Sequence, residues 1–363
     1  MATIALNMIV KDEAAVIQRC LASVRPWIDT WTIVDTGSND DTPALIEQSL
    51  RGIPGELCHQ PWVDFGHNRS EAIALAGTRA DYLLFIDADE ELVMPPGFVW
   101  PDLTADAYSF NHHYGNLHYH RAALARARLP WRFEGVLHEY LACAQPHQIQ
   151  RLEGPTILVR PEGSRSSDPH KYDKDAALLA ETIKRDPGNH RHWFYLAQSY
   201  RDGGRLAEAH AAYQRRAAMG GWDEEVWYSL YQIARLKEVL GAPKPEVFQA
   251  LIAAYEYRPS RPEGVGSLVR FCRMQGDHHT AHAYARVAMD LPPCQDALFL
   301  EPDWQRWMVD DEYGITCYWT GRYAEAVASC RRLLANPHLP DRERERVARN
   351  LSFAERAQVG GAA

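Results

Sequence analysis

The stretch Tyr82-Leu-Leu-Phe-Ile-Asp87-Ala-Asp89-Glu90-Glu91 decides the fold. Its apolar run reads as a strand buried on both faces, the habit of parallel sheets covered by helices. The run ends in Asp-x-Asp, so carboxylates emerge at the carboxyl edge of the sheet, where open α/β folds bind ligands. Two carboxylates one residue apart can share a hard divalent cation, and such a cation neutralises a diphosphate. Acids after a strand are also common as a solvated turn or helix cap, so the weight rests on what surrounds them.

Two further segments repeat the pattern. Met8-Ile-Val-Lys11-Asp12-Glu13 ends a first apolar run, and Trp31-Thr-Ile-Val-Asp35-Thr-Gly-Ser-Asn-Asp40-Asp41-Thr42 leads from a strand through an acid and a Gly turn into a helix start. Three strand ends so placed converge on one edge and outline a nucleotide pocket. Strands are expected at residues 4–10, 31–35, 56–59, 82–87 and 107–113. Helices are expected at 14–23, 43–50 and 68–76, the second with Thr42 as N-cap and Pro43 in the first helical position. This order predicts an α/β domain with a mostly parallel, Rossmann-like sheet and helices on both faces. His112, His113, His118 and His120 lack ligand spacing and are expected to line a cleft or face solvent.

Beyond about Tyr172 the strand signals stop, and helix pairs separated by Gly and Pro recur with a period of about 34 residues. One unit has Trp193, Leu196, Ala197, Tyr200, Gly204, Ala209 and Tyr213; Trp227 and Leu230 repeat its start. Later units carry Leu268, Gly276, Ala281, Ala285 and Ala288, then Tyr313, Gly314, Cys317, Gly321, Ala326 and Cys330. Small residues let two antiparallel helices approach, and large ones fill the space between successive pairs, as in tetratricopeptide arrays. The stretch from Glu153 to Pro169, rich in Pro, Gly, Ser and Arg, reads as the boundary. Two domains are expected, 1–165 and an all-α 166–363, and residues 1 to about 150 are expected to fold without the repeats.

The stretches Ile-Val-Lys-Asp-Glu (9–13), Val-Asp-Thr-Gly-Ser-Asn-Asp (34–40) and Phe-Ile-Asp-Ala-Asp-Glu (85–90) resemble, in order and spacing, the family 2 glycosyltransferases of GT-A fold. With its repeats the chain is similar to a subgroup that includes bacterial peptide S-glycosyltransferases and some lipopolysaccharide core glycosyltransferases. The resemblance implies a UDP-sugar donor, its base and ribose lined by Val10, Lys11 and Glu13, with Asp35 accepting a hydrogen bond from the uracil edge. It sets Arg69, Asp87 and Ala88 against the donor, and Asp87 and Asp89 on Mn²⁺ or Mg²⁺. Arg69 is also open to simple pairing with surface acids. His138, in Trp131-Arg-Phe-Glu134-Gly-Val-Leu-His138-Glu139-Tyr140, would complete the metal shell.

Inverting transfer needs a carboxylate to take the acceptor's proton, and Glu139 and Glu134 are the candidates. In a strand Glu134 and His138 share a face and Glu139 points away, whereas a bend near Gly135 presents both acids.

The composition narrows the classes. A length of 363 residues suits two domains, and a net charge of −9 argues against a phosphate-binding face for nucleic acid. Seven cysteines, an odd number with no CxxC spacing, point to a reduced, cytoplasmic chain. No apolar run reaches the roughly 18 residues of a spanning helix, and residues 1–10 read as a strand rather than a leader. The expected function is metal-dependent, inverting transfer of a sugar from a UDP-sugar to a peptide, protein or glycan acceptor. The alternative is a scaffold whose α/β domain has lost activity and whose repeats bind a partner. The repeats are expected to hold the acceptor or a second copy in a homodimer.

Overall fold

The structure, a computed structural model, describes residues 2–164 and 168–360. Two compact units divide it, Met1–Gly203 and Gly204–Ala363. The domain boundary expected between residues 165 and 166 lies outside the described residues.

The first unit contains strands β1 (Ile4–Val10), β2 (Thr30–Asp35), β3 (Gly55–His59), β4 (Tyr82–Phe85), β5 (Glu90–Val93), β6 (Ala107–Tyr114), β7 (Leu117–Arg126), β8 (Trp131–Glu134), β9 (Tyr140–Cys143) and β10 (Ile149–Val159). Its helices are α1 (Ile17–Val24), α2 (Thr42–Ser49), α3 (Phe65–Ala76), α4 (Lys171–Arg185) and α5 (His190–Asp202). Eight strands form one sheet in the order β3-β2-β1-β4-β7-β6-β10-β5, and β8 pairs with β9 apart from it. The β3-β2-β1-β4 half is parallel throughout. Along β1, Ile4, Leu6, Met8 and Val10 meet Ile17, Leu21 and Ile46 of α1 and α2 on one face. Ala5 meets Ile73 and Ala76 of α3 on the other. A strand enclosed this way must be apolar on both sides, and its one buried amide, Asn7, donates to Ala72 O at 2.8 Å.

The other half departs from the expected pattern in two places, and α2 differs in a third. β6 runs in the same direction as β4 but is not its neighbour, because β7 lies antiparallel between them. The cause is local: Gly115-Asn116 makes a two-residue turn, with Gly115 at φ 56°, and a loop that short can only join antiparallel strands. The stretch read as boundary from Glu153 begins inside β10, which is parallel to β6 and antiparallel to β5. Gly154, at φ 113° against the Phe98 ring, marks a register shift between Arg151 and Thr156 rather than a linker. Thr42 is the first residue of α2, not its cap; its N–H and hydroxyl both donate to Asp40 Oδ1, at 3.0 and 2.5 Å.

The second unit is helical: α6 (Leu206–Ala218), α7 (Asp223–Val239), α8 (Lys244–Tyr257), α9 (Pro262–Met274), α10 (His278–Met289), α11 (Val309–Trp319), α12 (Tyr323–Ala335) and α13 (Asp341–Gly360). Each of these helices packs on the next. Gly241, Gly276 and Gly321, all at φ between 74° and 79°, turn the chain between the members of successive pairs. Ala281 and Ala285 are buried against Leu268, Val269 and Cys272, the small-on-large contact the repeat pattern calls for. The repeat period lapses between α10 and α11. There the intervening segment is tied down by fully buried Arg261, which bonds Glu263, Asp296 and the Leu298 and Phe299 carbonyls over the Trp227 ring. Among the described residues no helix is long and apolar enough to cross a membrane.

Candidate active site

The loops after β1 and β2 are stitched together before any ligand is considered. Asp12, at φ 54°, donates its N–H to Ser38 Oγ (2.9 Å) and accepts the Asn39 N–H on Oδ1 (2.7 Å). The Glu13 N–H donates to Thr42 Oγ1 at 2.8 Å, and the Val10 carbonyl accepts the Thr36 N–H at 2.9 Å. Asp35 is 3% exposed; its carboxylate accepts the Ser38 N–H at 3.1 Å and lies 3.2 Å from His59 Nδ1 on β3. The Lys11 carbonyl accepts Ser164 Oγ at 3.3 Å, and Ala88 is buried in the sheet core.

Beyond β4 lies a cluster of acids and guanidinium groups. Arg69, on the second turn of α3, donates to Asp87 Oδ1, and its Nε lies 2.6 Å from Glu139 Oε1. Asp87 Oδ2 is 3.5 Å from Arg121 of β7, and Arg121 also donates to both oxygens of Glu90, at 3.0 and 3.1 Å. Burial alone would lift the Asp87 carboxyl, but Arg69 and Arg121 outweigh it and hold it at about 2. Glu90, only 2% exposed, is pushed up by burial, against the pull of Arg121. Neither Arg121 nor a role for Glu90 was expected from the sequence. The pair spans β7 and β5, so only the strand order brings it together.

Asp89 and Glu13 face each other across Gly163. A Cβ there would meet Asp89 Oδ2 at 3.0 Å and both Glu13 oxygens at 3.2 Å, so glycine is what lets this segment close over the acids. Burial, then Asp87, raises Asp89; burial, then the nearby Asp89, Asp87 and Asp40, lifts Glu13 from 4.5 to about 7, against a hydrogen bond from Ser164. With its pKa raised, Glu13 makes the folded chain bind more protons than the unfolded one, so its contribution falls as pH rises from about 4.5 through about 7. Glu13→Gln is therefore expected to flatten that slope and to stabilise the chain above pH 7 by on the order of 1 kcal/mol, discounted for partial exposure. Thermal unfolding at pH 5 and pH 8 measures it, and an unchanged slope would discount this account of Glu13.

The segment carrying His138 and Glu139 is a loop between β8 and β9, closed by the Glu134–Tyr140 pair, with Gly135 at φ 115° and His138 at φ 51°. The bend, not the continuous strand, is what the chain adopts. It sends the two acids apart: Glu139 joins Arg69, while Glu134 is taken by Arg132 and by the Tyr140 hydroxyl at 2.6 Å. Tyr140, then Arg132, holds Glu134 below its usual range. His138 stacks on Tyr195 of α5 at 4.0 Å, and its carbonyl accepts Arg191 Nε at 3.0 Å. Among the described residues only His282, Cys317 and Glu325 bring three ligand atoms within 4.8 Å of one another; Asp87, Asp89 and His138 do not.

The β6–β7 histidines divide. His113 and His118 stack across the hairpin at 3.8 Å. His112 is fully buried, contrary to the cleft or surface position expected, and burial, then Arg121, pushes it well below its usual value. Between α3, the β8–β9 hairpin and α5 runs a groove of about 290 Å³, lined by Asp64, His67, Glu134, Tyr140, Arg191 and His192 among others.

Residues 7–122 match the family model described as glycosyl transferase family 2. A TPR repeat-containing protein of Synechococcus elongatus is 35% identical over 181 residues, 45% of this chain and 43% of that protein. An uncharacterized glycosyltransferase of Rickettsia felis is 38% identical over 92 residues, 25% of this chain and 30% of that one. The chain thus spans less than half the length of these curated relatives. Among solved structures, MamA overlaps 53% of this chain and 91% of its own at 14% identity and a TM-score of 0.35, a likeness too loose to argue from. The acids at the carboxyl ends of β1, β2 and β4, and Arg69, lie within the span that matches the glycosyl transferase family 2 model, and helices packed in tetratricopeptide-like pairs follow it.

Proposed function

We propose that the N-terminal domain transfers a sugar, with inversion, from a UDP-sugar to a peptide, protein or glycan acceptor, and that it works with Mn²⁺ or Mg²⁺. The observation that carries the reading is Arg69, which links Asp87 at the sheet edge, within the span matched by the family 2 model, to Glu139 on the β8–β9 loop beyond that span. One side of such a site must meet the leaving diphosphate and the other the attacking acceptor. Arg69 and Arg121 supply fixed positive charge where the leaving group gathers negative charge. Glu139 is the group placed to take the acceptor's proton. The walls at Val10, Lys11 and Asp35 are assigned to the nucleoside, and the groove beside α5 to the acceptor.

The chemistry of the acids suits a hard cation: Glu13 and Asp89 flank Gly163, and burial, then the neighbouring carboxylates, pushes both toward the protonated form. A divalent ion held by Asp89 with Asp87 would supply further charge against the diphosphate; Glu13, which flanks Gly163 opposite Asp89, is assigned as the third ligand, and His138 stays stacked on Tyr195. The helices of the second unit are assigned to gripping the acceptor or a partner protein.

Calorimetry with UDP tests the reading. Binding is expected to need Mn²⁺ or Mg²⁺, and Asp89→Ala to weaken it by more than the roughly tenfold that loss of an outer metal partner costs. Metal-dependent affinity left intact in Asp89→Ala would remove the metal assignment, and no UDP binding at all would remove the donor.

A further inference from the structure

The second unit holds a group of side chains that lies outside the candidate active site. His282 of α10, Cys317 of α11 and Glu325 of α12 offer a nitrogen, a sulfur and an oxygen within 4.8 Å of one another. We propose that His282, Cys317 and Glu325 bind a divalent transition metal of the zinc type, with solvent as the fourth ligand.

The spacing is close to what such an ion requires. Zinc bonds of about 2.3 Å to sulfur and about 2.0 Å to nitrogen or oxygen, at tetrahedral angles, set the edges of the ligand polyhedron near 3.5 Å. Cys317 Sγ lies 3.8 Å from His282 Nδ1 and 3.8 Å from Glu325 Oε2. On these two edges, closing onto an ion takes shifts of a few tenths of an ångström, and the third, from His282 to Glu325, lies within 4.8 Å. His282 is 5% exposed and its Nε2 has no hydrogen-bond partner among the described residues, so no rival bond to that nitrogen fixes the ring. Glu325 Oε2, the oxygen that faces Cys317, also accepts the Tyr313 hydroxyl at 2.5 Å, and the Tyr313 ring lies over His282 at 5.6 Å, contacts that orient both ligands.

Charge and chemistry select the ion. On binding, the Cys317 thiol gives up its proton, and thiolate, carboxylate and neutral imidazole together cancel a 2+ charge, leaving a neutral centre in a largely buried place. A thiolate and an imidazole favour zinc, cobalt or iron and disfavour Mg²⁺ and Ca²⁺, which take oxygen. The three ligands come from three consecutive helices, so the ion would fasten the third helix pair of the repeats to the fourth.

Cobalt gives the test. The full chain, stripped with a chelator and titrated with Co²⁺, should bind one equivalent with tetrahedral visible bands and a near-ultraviolet thiolate-to-cobalt transition, and Zn²⁺ should bleach both. An oxygen site at Asp87 and Asp89 gives no thiolate band, so the result is independent of the proposed transferase reading. Cys317→Ser should lose the thiolate band. Glu325→Gln, at an exposed position where the fold is safe, should keep it but bind Co²⁺ at least about tenfold more weakly. Zn²⁺ should raise the unfolding temperature of the wild type more than that of either variant. Absence of a thiolate band in the wild type, the same band in Cys317→Ser, or equal affinity in Glu325→Gln would overturn the proposal.

Discussion

Glu139→Gln is expected to slow sugar transfer by about 10²-fold or more while leaving UDP affinity within a small factor of wild type. The amide keeps the shape of the side chain and an oxygen for Arg69, but it cannot accept a proton. Arg69 retains its bond to Asp87, so the donor side of the site stays in place. Glu134→Gln should change turnover little. Its carboxylate is engaged by Arg132 and Tyr140 on the hairpin and is held below its usual range, which makes it a poor base although it lines the groove. Steady-state kinetics with a UDP-sugar, or hydrolysis of that sugar without acceptor, separates the two. The reverse outcome, transfer abolished in Glu134→Gln and untouched in Glu139→Gln, moves the base to Glu134. If neither variant is slowed, the base lies outside this loop or the reaction retains configuration.

The sequence made one half of this domain legible and hid the other for a physical reason. β1, β2 and β4 are parallel and enclosed by helices, so their residues are mostly apolar whichever face they point to, and the runs can be read without knowing the neighbours. β7, by contrast, reads Leu-His-Tyr-His-Arg at its start and is held in place by its partners rather than by its own composition. Its one local signal was Gly115-Asn116, a hairpin turn between two alternating runs. β10 was obscured by Gly154-Pro155, a pair that marks a loop in most settings and a bulge in this one. The site divides the same way. Asp87, Asp89, Asp35 and Glu13 follow strands and were readable as strand ends. Arg69 was readable by resemblance. Arg121 with Glu90, and the departure of His138 toward Tyr195, depend on which strand lies beside which and on which helix covers a loop, and no periodicity records that.

A fragment ending at residue 150 is expected not to fold, although the change of period near Tyr172 suggested that it would. It lacks Arg151–Val159, the part of β10 that lies between β6 and β5. Thr156–Val159 is the stretch that pairs with Glu90–Val93, so β5 would lose its ladder just after Asp87 and Asp89, and Ile157 would leave a hole in the main core. An unpaired strand beside an opened core aggregates. A fragment ending at residue 165 restores the sheet but not the loop that carries Glu139. In the whole chain Arg191 of α5 lies over the rings of Tyr140 and Tyr195 and bonds the His138 carbonyl, and the His138 ring stacks on Tyr195. His138 sits at φ 51°, which costs on the order of 1 kcal/mol for a residue with a Cβ, and the clasp from α5 is what offsets it. Without α5 the loop should relax, so this fragment is expected to bind UDP yet turn over slowly. A fragment ending at residue 203 keeps β10, α4 and α5 and is expected to unfold cooperatively and to hydrolyse donor at the rate of the full chain. Chemical denaturation and donor hydrolysis on the three lengths decide between these. Cooperative unfolding of the 150-residue fragment would show that β10 is dispensable, and full hydrolysis by the 165-residue fragment would show that Glu139 is held without help from the first helix pair.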